Sequence, residues 1–195
     1  MVNRKVFGFG INDSWYPVRP RSKATKERLS SDWCPYYRKW AHMIQRCYDP
    51  KFKHSQTTYK DVSVCDDWVY FSKFREWAIN HYEDGLFLDK DILGDGRLYS
   101  PENCCFVDLK TNNFILDKGA KRSGKNRIGF YLNKRGKYQV SCSNPFKGKD
   151  EYVGVFTSEE EAHRAWKERK RLHAISLAKV QSNERVAKKL LSMYK

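Results

Sequence analysis

No apolar run in this 195-residue chain approaches the roughly 20 residues needed to cross a bilayer. The opening MVNRKVFGFGINDSW also lacks the uninterrupted hydrophobic segment of a secretory signal. Membrane partners are therefore not expected, and the cytoplasm is the expected compartment. The six cysteines, at 34, 47, 65, 104, 105 and 142, form no CxxC pair and no regular spacing, which argues against a disulfide framework. Cys47, Cys65 and Cys104, with His54, carry the donor chemistry of a structural zinc site. Each also falls where a small buried apolar residue would serve, and that second reading is favoured. No small-molecule cofactor is expected.

Acidic residues are scarce in one part only. From Lys118 onward there are 20 Lys or Arg against 7 Asp or Glu, whereas residues 1–117 hold 18 against 16. Most of the net charge of +15 therefore belongs to the C-terminal part. Such a field attracts phosphates without regard to sequence and weakens steeply with salt, which marks this part as the polyanion-binding one. With 40% apolar residues and abundant Trp, Tyr and Phe, the chain has material for real cores in one ordinary domain or two small ones.

Periodicity orders the rest. Residues 1–31 are basic and turn-rich and read as an arm. From a cap at Asp32, Tyr36, Tyr37, Trp40, Met43, Ile44 and Cys47 recur at three and four residues and predict an apolar helical face, broken by YDPKFKHSQT. YKDVSVC, 59–65, suits a short strand. Trp68, Phe71, Phe74, Trp77 and Ala78 define a second helix whose aromatics are read as core. Residues 86–93 and 103–107 follow as strands around a loop containing GDGR and YSPE, and then a helical turn covers 108–116. GAKRSGKN, 119–126, has linker composition. Beyond it, strands are expected over 128–133, 137–143 and 151–156, with turns at 134–136 and 144–149. Ser158 and Glu161 then open a helix with Ala162, Ala165, Trp166, Leu172 and Ile175 as apolar positions, and a last helix closes the chain.

Between Leu88 and Asn113 the sequence LDKDILGDGRLYSPENCCFVDLKTNN places Asp89-Lys90-Asp91 ahead of a Gly- and Pro-rich turn, then Asn103, then Asn112 and Asn113. With Tyr37, Trp40, Met43, Arg46-Cys47-Tyr48, Val64-Cys65, Trp68, Phe74, Tyr99, Pro101 and Cys104, this pattern over residues 36–113 resembles the phage HNH-like, or ββα-metal, homing endonucleases. The resemblance implies one Mg2+ or Mn2+ ion on Asp89 and Asn112 or Asn113, with Asn103 holding the loop between strands. The implied catalytic set is Asp89, Lys90, Asp91, Asn103 and Asn112. Lys90 stands where the family has its general-base histidine, and a lysine is ordinarily a poor base at neutral pH. Three readings stay open: Lys90 is a base of depressed pKa, His81 or Asp91 does that work, or cleavage has been lost and the fold grips DNA only.

Gly129-Phe130, Gly136-Lys137-Tyr138, Tyr152-Val153-Gly154-Val155-Phe156 and the following Ser-Glu-Glu-Glu-Ala helix resemble the Apetala-two/ethylene-response-factor DNA-binding domain, three antiparallel strands on a helix. Two-residue alternation turns Phe130, Leu132, Tyr138, Val140, Cys142 and Val153 inward. The outward set is then Tyr131, Asn133, Lys137, Gln139, Ser141, Ser143 and Tyr152, side chains able to read base edges in a major groove. Arg127, Lys134, Arg135, Lys147 and Lys149 fall at the rim, where cations meet phosphates.

The expected class is α+β: an N-terminal arm (1–31), a helical ββα-metal-like unit (32–118), a linker (119–126), and a three-stranded antiparallel sheet packed on a helix with a C-terminal helix (127–195). The expected function is sequence-directed, metal-dependent cleavage or nicking of double-stranded DNA by a phage-type homing endonuclease, acting in the host cytoplasm. The alternative is a catalytically inactive HNH-derived DNA-binding protein acting as a repressor or anti-host factor. An RNA-binding role is a third option, because a basic aromatic sheet also stacks single-stranded bases.

Overall fold

A computed structural model describes residues 5–20, 33–116 and 129–194. The described residues form a mixed α/β structure with six α-helices and a three-stranded antiparallel sheet beside the fifth helix. No helix among them is long and apolar enough to cross a membrane. Contacts divide the chain after Phe106 into two compact units. The expected linker 119–126 and the cap Asp32 lie outside the described residues, and the helix over 109–116 groups with the second unit.

The first unit is built on α1 (Pro35–Tyr48), which buries Tyr37, Trp40, Ala41, Met43, Ile44 and Cys47 along one face. Pro35 at its first position suits an N-terminus whose amide needs no partner. The expected break after Tyr48 is a kink into a second helix, α2 (Pro50–Ser55). Pro50 keeps Asp49 extended, and the Asp49 carboxylate accepts a hydrogen bond from the Lys51 amide at 3.0 Å, so the chain restarts as helix.

Residues 5–20 of the expected arm are docked. They form the hairpin β1 (Lys5–Val6) and β2 (Gly10–Ile11), and Val18 is buried in the same core as α1. A Cβ at Gly10 would lie 2.8 Å from the Trp40 ring, so this approach requires glycine. The expected strand over 59–65 shrinks to β3 (Ser63–Val64), and a 3-10 turn at Asp67–Val69 leads into α3 (Phe71–Ile79). Trp40, Trp68, Phe71 and Phe74 are fully buried, and Trp40 Nε1 donates to the Trp68 carbonyl at 2.7 Å, so the aromatic row fills the core as expected. Cys47 and Cys104 belong to this core, where desolvation raises both thiols, Cys47 to about 12. Such thiols behave as small apolar groups. After β4 (Phe87–Asp89), the short β5 (Leu98–Tyr99) pairs in parallel with β3, while β6 (Cys105–Val107) pairs with β4.

The second unit contains α4 (Leu109–Leu116), then β7 (Phe130–Leu132), β8 (Tyr138–Asn144) and β9 (Lys149–Phe156) in the order 7-8-9, and finally α5 (Glu159–Ala178) and α6 (Glu184–Ser192). Ser158 caps α5 by accepting from the Glu161 amide at 3.2 Å. Phe130, Val140, Cys142, Ala162 and Trp166 make the core between sheet and helix. The buried stripe of α5 runs through Ala162, Trp166, Lys170, His173, Ala174 and Leu177, whereas Leu172 is exposed. The apolar expectation at Leu172 fails because the i+4 row from Trp166 passes through Lys170. That lysine buries its stem and sets its ammonium 4.4 Å from the Phe114 ring.

Candidate nucleic-acid interface

The pairing register fixes the free face of the C-terminal sheet. Tyr131, Gln139 and Val155 stand in one cross-strand row, Ser141 pairs with Tyr152, and Ser143 pairs with Asp150. A bulge between Val140 and Ser141 leaves Val153 as an extra residue of β9. It re-phases the strand: Tyr152 points outward beside Ser141, Gly154 lies opposite the buried Val140, and Val153 packs against the core. Val155 consequently joins the outward set, which strict alternation does not give. Tyr131 and Tyr152 are 51% and 65% exposed, large aromatic surface for residues on a folded sheet. Leu132, expected inward, is 60% exposed because it ends an edge strand in the last row before the turn.

Each end of β8 carries a cationic turn held by an asparagine. At one end, Asn133 Oδ1 accepts from the amides of Arg135 at 3.0 Å and Lys137 at 3.1 Å, and Gly136 takes a positive φ of 69°. Lys134, Arg135 and Lys137 are thereby displayed to solvent. Asn133 is thus committed to the turn by its side-chain oxygen. At the other end, Asn144 Oδ1 accepts from Phe146 at 2.9 Å and Lys147 at 3.1 Å, presenting Lys147 and Lys149. At about 3.3 Å per residue the two turns stand roughly 20 Å apart, enough to bracket a major groove about 12 Å wide. Arg127 lies outside the described residues.

Glu151 clamps this sheet to α5. Its carboxylate accepts from Asn144 Nδ2 at 3.0 Å and from His173 Nε2 at 2.8 Å, with Arg169 at 3.5 Å. The hydrogen bond from Asn144, with the Arg169 charge and the hydrogen bond from His173, outweighs desolvation and holds the Glu151 carboxyl below its ordinary range. Burial of His173 outweighs the attraction of Glu151 and lowers the imidazole pKa, so the neutral ring donates to the carboxylate. Both groups therefore bind fewer protons when folded. Their contribution to stability is present above the unfolded values, near 6.5 for His and 4.3 for Glu, and is lost as pH falls through the folded ones. Acid titration from pH 7 to 4, followed by Trp166 fluorescence, is expected to loosen α5 from the sheet, and Glu151→Gln is expected to flatten that transition. A transition unchanged by Glu151→Gln would show that the clamp is not its origin. Neither His173 nor Glu151 stands out in the sequence; the signal is their polar character on stripes that otherwise read as buried.

The acidic cluster serves a turn. Asp89, 5% exposed at the end of β4, accepts with Oδ1 from the amides of Asp91 and Ile92, both at 2.8 Å. Desolvation raises its pKa despite these bonds. Lys90, 7% exposed, donates to Asp91 Oδ1 at 2.8 Å, and its ammonium lies 5.2 Å from the Tyr59 ring and 5.7 Å from Tyr99. Asn103 ties its loop by donating from Nδ2 to the Leu98 carbonyl and from its amide to Ser100 Oγ, each at 3.3 Å. His81, an alternative base, is exposed, stacks on Trp77 and engages the Trp77 carbonyl through Nδ1 at 2.7 Å.

Asp89 belongs to the first unit, and Asn112 and Asn113 to the second. Asn112 is half-buried on α4. Asn113 is exposed and lines a cleft of about 330 Å3 with Lys170, Ser143 and Asn144. A hard divalent ion prefers several free oxygen donors. Asp89 and Asp91 as folded do not fit one well, because an oxygen of each is already bonded and the buried Lys90 ammonium is paired with Asp91. No group of three or more His, Cys, Asp or Glu side chains converges among the described residues.

No protein-family model, curated protein or solved structure matches this chain.

Proposed function

We propose that the chain binds double-stranded DNA through the free face of the β7–β8–β9 sheet. The carrying observation is one surface with hydrogen-bonding and aromatic side chains along β8 and its neighbours and a cationic turn at each end. Gln139, Ser141, Ser143, Tyr131 and Tyr152 have the chemistry of base-edge contact, and Lys134, Arg135, Lys137, Lys147 and Lys149 that of phosphate contact. Asp150 stands in the same face opposite Ser143 and favours a cytosine amino group over a phosphate.

Replacing Lys134, Arg135 and Lys137 together by Gln is expected to lower the log–log salt slope of binding by about 0.9 for each phosphate contact removed, and to weaken all sequences alike. Tyr131→Ala with Tyr152→Ala is expected to narrow the gap between preferred and random duplexes. Fluorescence anisotropy on labelled duplex, with RNA duplex and single strands as competitors, measures both. Unchanged slope and affinity in the triple variant would overturn the reading, and preference for single-stranded RNA would replace it.

Magnesium-dependent cleavage by the same chain is the second reading, and it draws on the motif resemblance of residues 36–113. The geometry of the turn favours binding without cleavage, in the manner of a repressor. Supercoiled plasmid with Mg2+, Mn2+ or EDTA decides: metal-dependent nicking abolished by Asp89→Asn establishes the enzyme.

A further inference from the structure

The described residues of the near-neutral first unit include a strongly cationic concavity. Arg38, His42 and Arg46 follow one another at four-residue intervals on α1 and so share a helical face, with Lys39 beside them. Together with Met43, Tyr82, Gly85, Phe87 and Leu88 they line a cleft of about 460 Å3. Lys39 is positioned as part of its wall. It donates to the Leu86 carbonyl and lies 5.3 Å from the Tyr82 ring and 5.0 Å from the Phe87 ring. Arg46 is likewise held, by the Tyr99 hydroxyl and 5.9 Å from the Tyr59 ring. Lys39 and Arg46 are thus held by neutral groups, and the carboxylate of Asp84 also acts on Lys39. Their mutual repulsion is felt: His42 is lowered by burial, then by Arg46, Arg38, Lys39 and Arg19, and Lys39 is lowered by burial, Arg38 and Arg46.

We infer that this cleft is a phosphate-binding site. Two guanidiniums, an ammonium and an imidazole around one concavity offer charge and forked donors to a tetrahedral oxyanion. The exposed Phe87 ring at its edge adds a flat apolar surface. The phosphate comes either from a nucleic-acid backbone or from a free phosphorylated molecule. The first would give the first unit its own hold on the DNA proposed for the sheet and would raise overall avidity through linkage.

His42 reports occupancy in the full chain, since an anion within 4–6 Å favours the imidazolium. Its proton resonance, assigned by its loss in His42→Gln, is followed against pH with inorganic pyrophosphate, with a 20-base-pair duplex, and with acetate at equal ionic strength. Phosphate binding is expected to raise the His42 pKa by about one unit, with the histidines outside the cleft unmoved. In Arg38→Gln about tenfold more pyrophosphate should be needed for the same shift. Lys73→Gln, an exposed cation elsewhere in the unit, should change nothing. A response to duplex identifies the backbone as a source, and a response to pyrophosphate alone identifies a small phosphorylated ligand. The inference is overturned if neither probe moves His42 or if acetate moves it equally. Should the sheet prove not to bind DNA, the pyrophosphate arm still reads the cleft by itself.

Discussion

Asp89→Ala is expected to destabilise the first unit by about 3 kcal/mol, read as a lower denaturation midpoint at unchanged slope. The carboxylate is buried, and its Oδ1 is the acceptor for two amides, one of them the amide of the fully buried Ile92. A hydrogen bond to a charged group contributes about 1.5–3 kcal/mol, and removing the acceptor leaves a buried donor unpaired. Part of that gain is already offset by desolvation of the carboxylate, which its raised pKa records. Asp89→Asn keeps an oxygen in place and should lose about half as much. The order of the two variants is the check: equal losses, or an alanine variant within 1 kcal/mol of the parent, would show that the turn does not depend on this acceptor. Loss of nicking in Asp89→Ala alone would consequently confuse chemistry with folding, and the asparagine variant is the one that separates them.

Gly129→Ala is the corresponding test of the second unit and should cost about 3 kcal/mol or more. Gly129 adopts a φ of +100°, and a Cβ there would lie 2.1 Å from Cδ1 of Trp166. Unfavourable backbone accounts for about 1–2 kcal/mol, and displacement of a core ring for about 1–3 more. Trp166 packs with Phe130, Val140 and Cys142 under the sheet, so moving its ring disturbs the layer that supports Tyr131 and Gln139. DNA affinity should fall with stability in this variant, whereas Tyr131→Ala should lower affinity at unchanged stability. Thermal unfolding followed by Trp fluorescence, beside anisotropy, distinguishes the two.

What the sequence could tell depended on whether a residue's role lies in its own periodic row. The faces of α1 and α3, the three C-terminal strands and the Ser158 cap follow from spacing and local chemistry, and they are where the pattern puts them. Boundaries set by tertiary contact were not legible. Residues 5–20 carry no periodic signal, yet Gly10 and Val18 are held by the α1 core. The acidic cluster was legible as a cluster but not as a turn, because its meaning depends on backbone amides that composition does not display. The bulge at Val153 was equally hidden, since one unpaired residue shifts the facing of those after it without altering composition. Arg38, His42 and Arg46 form an i, i+4, i+8 row whose signal is masked by the apolar stripe on the same helix.

That bulge also bears on how such a surface changes over generations. Upstream of Val153 the strand supplies Tyr152 to the free face, and downstream it supplies Val155, so the two halves answer to different phases of one ladder. Deleting Val153 alone would restore strict alternation with Tyr152 and Val155 still outward and Gly154 and Phe156 still in the inward rows. The strand thereby contains a point where its length can change while the side chains offered to a target stay the same.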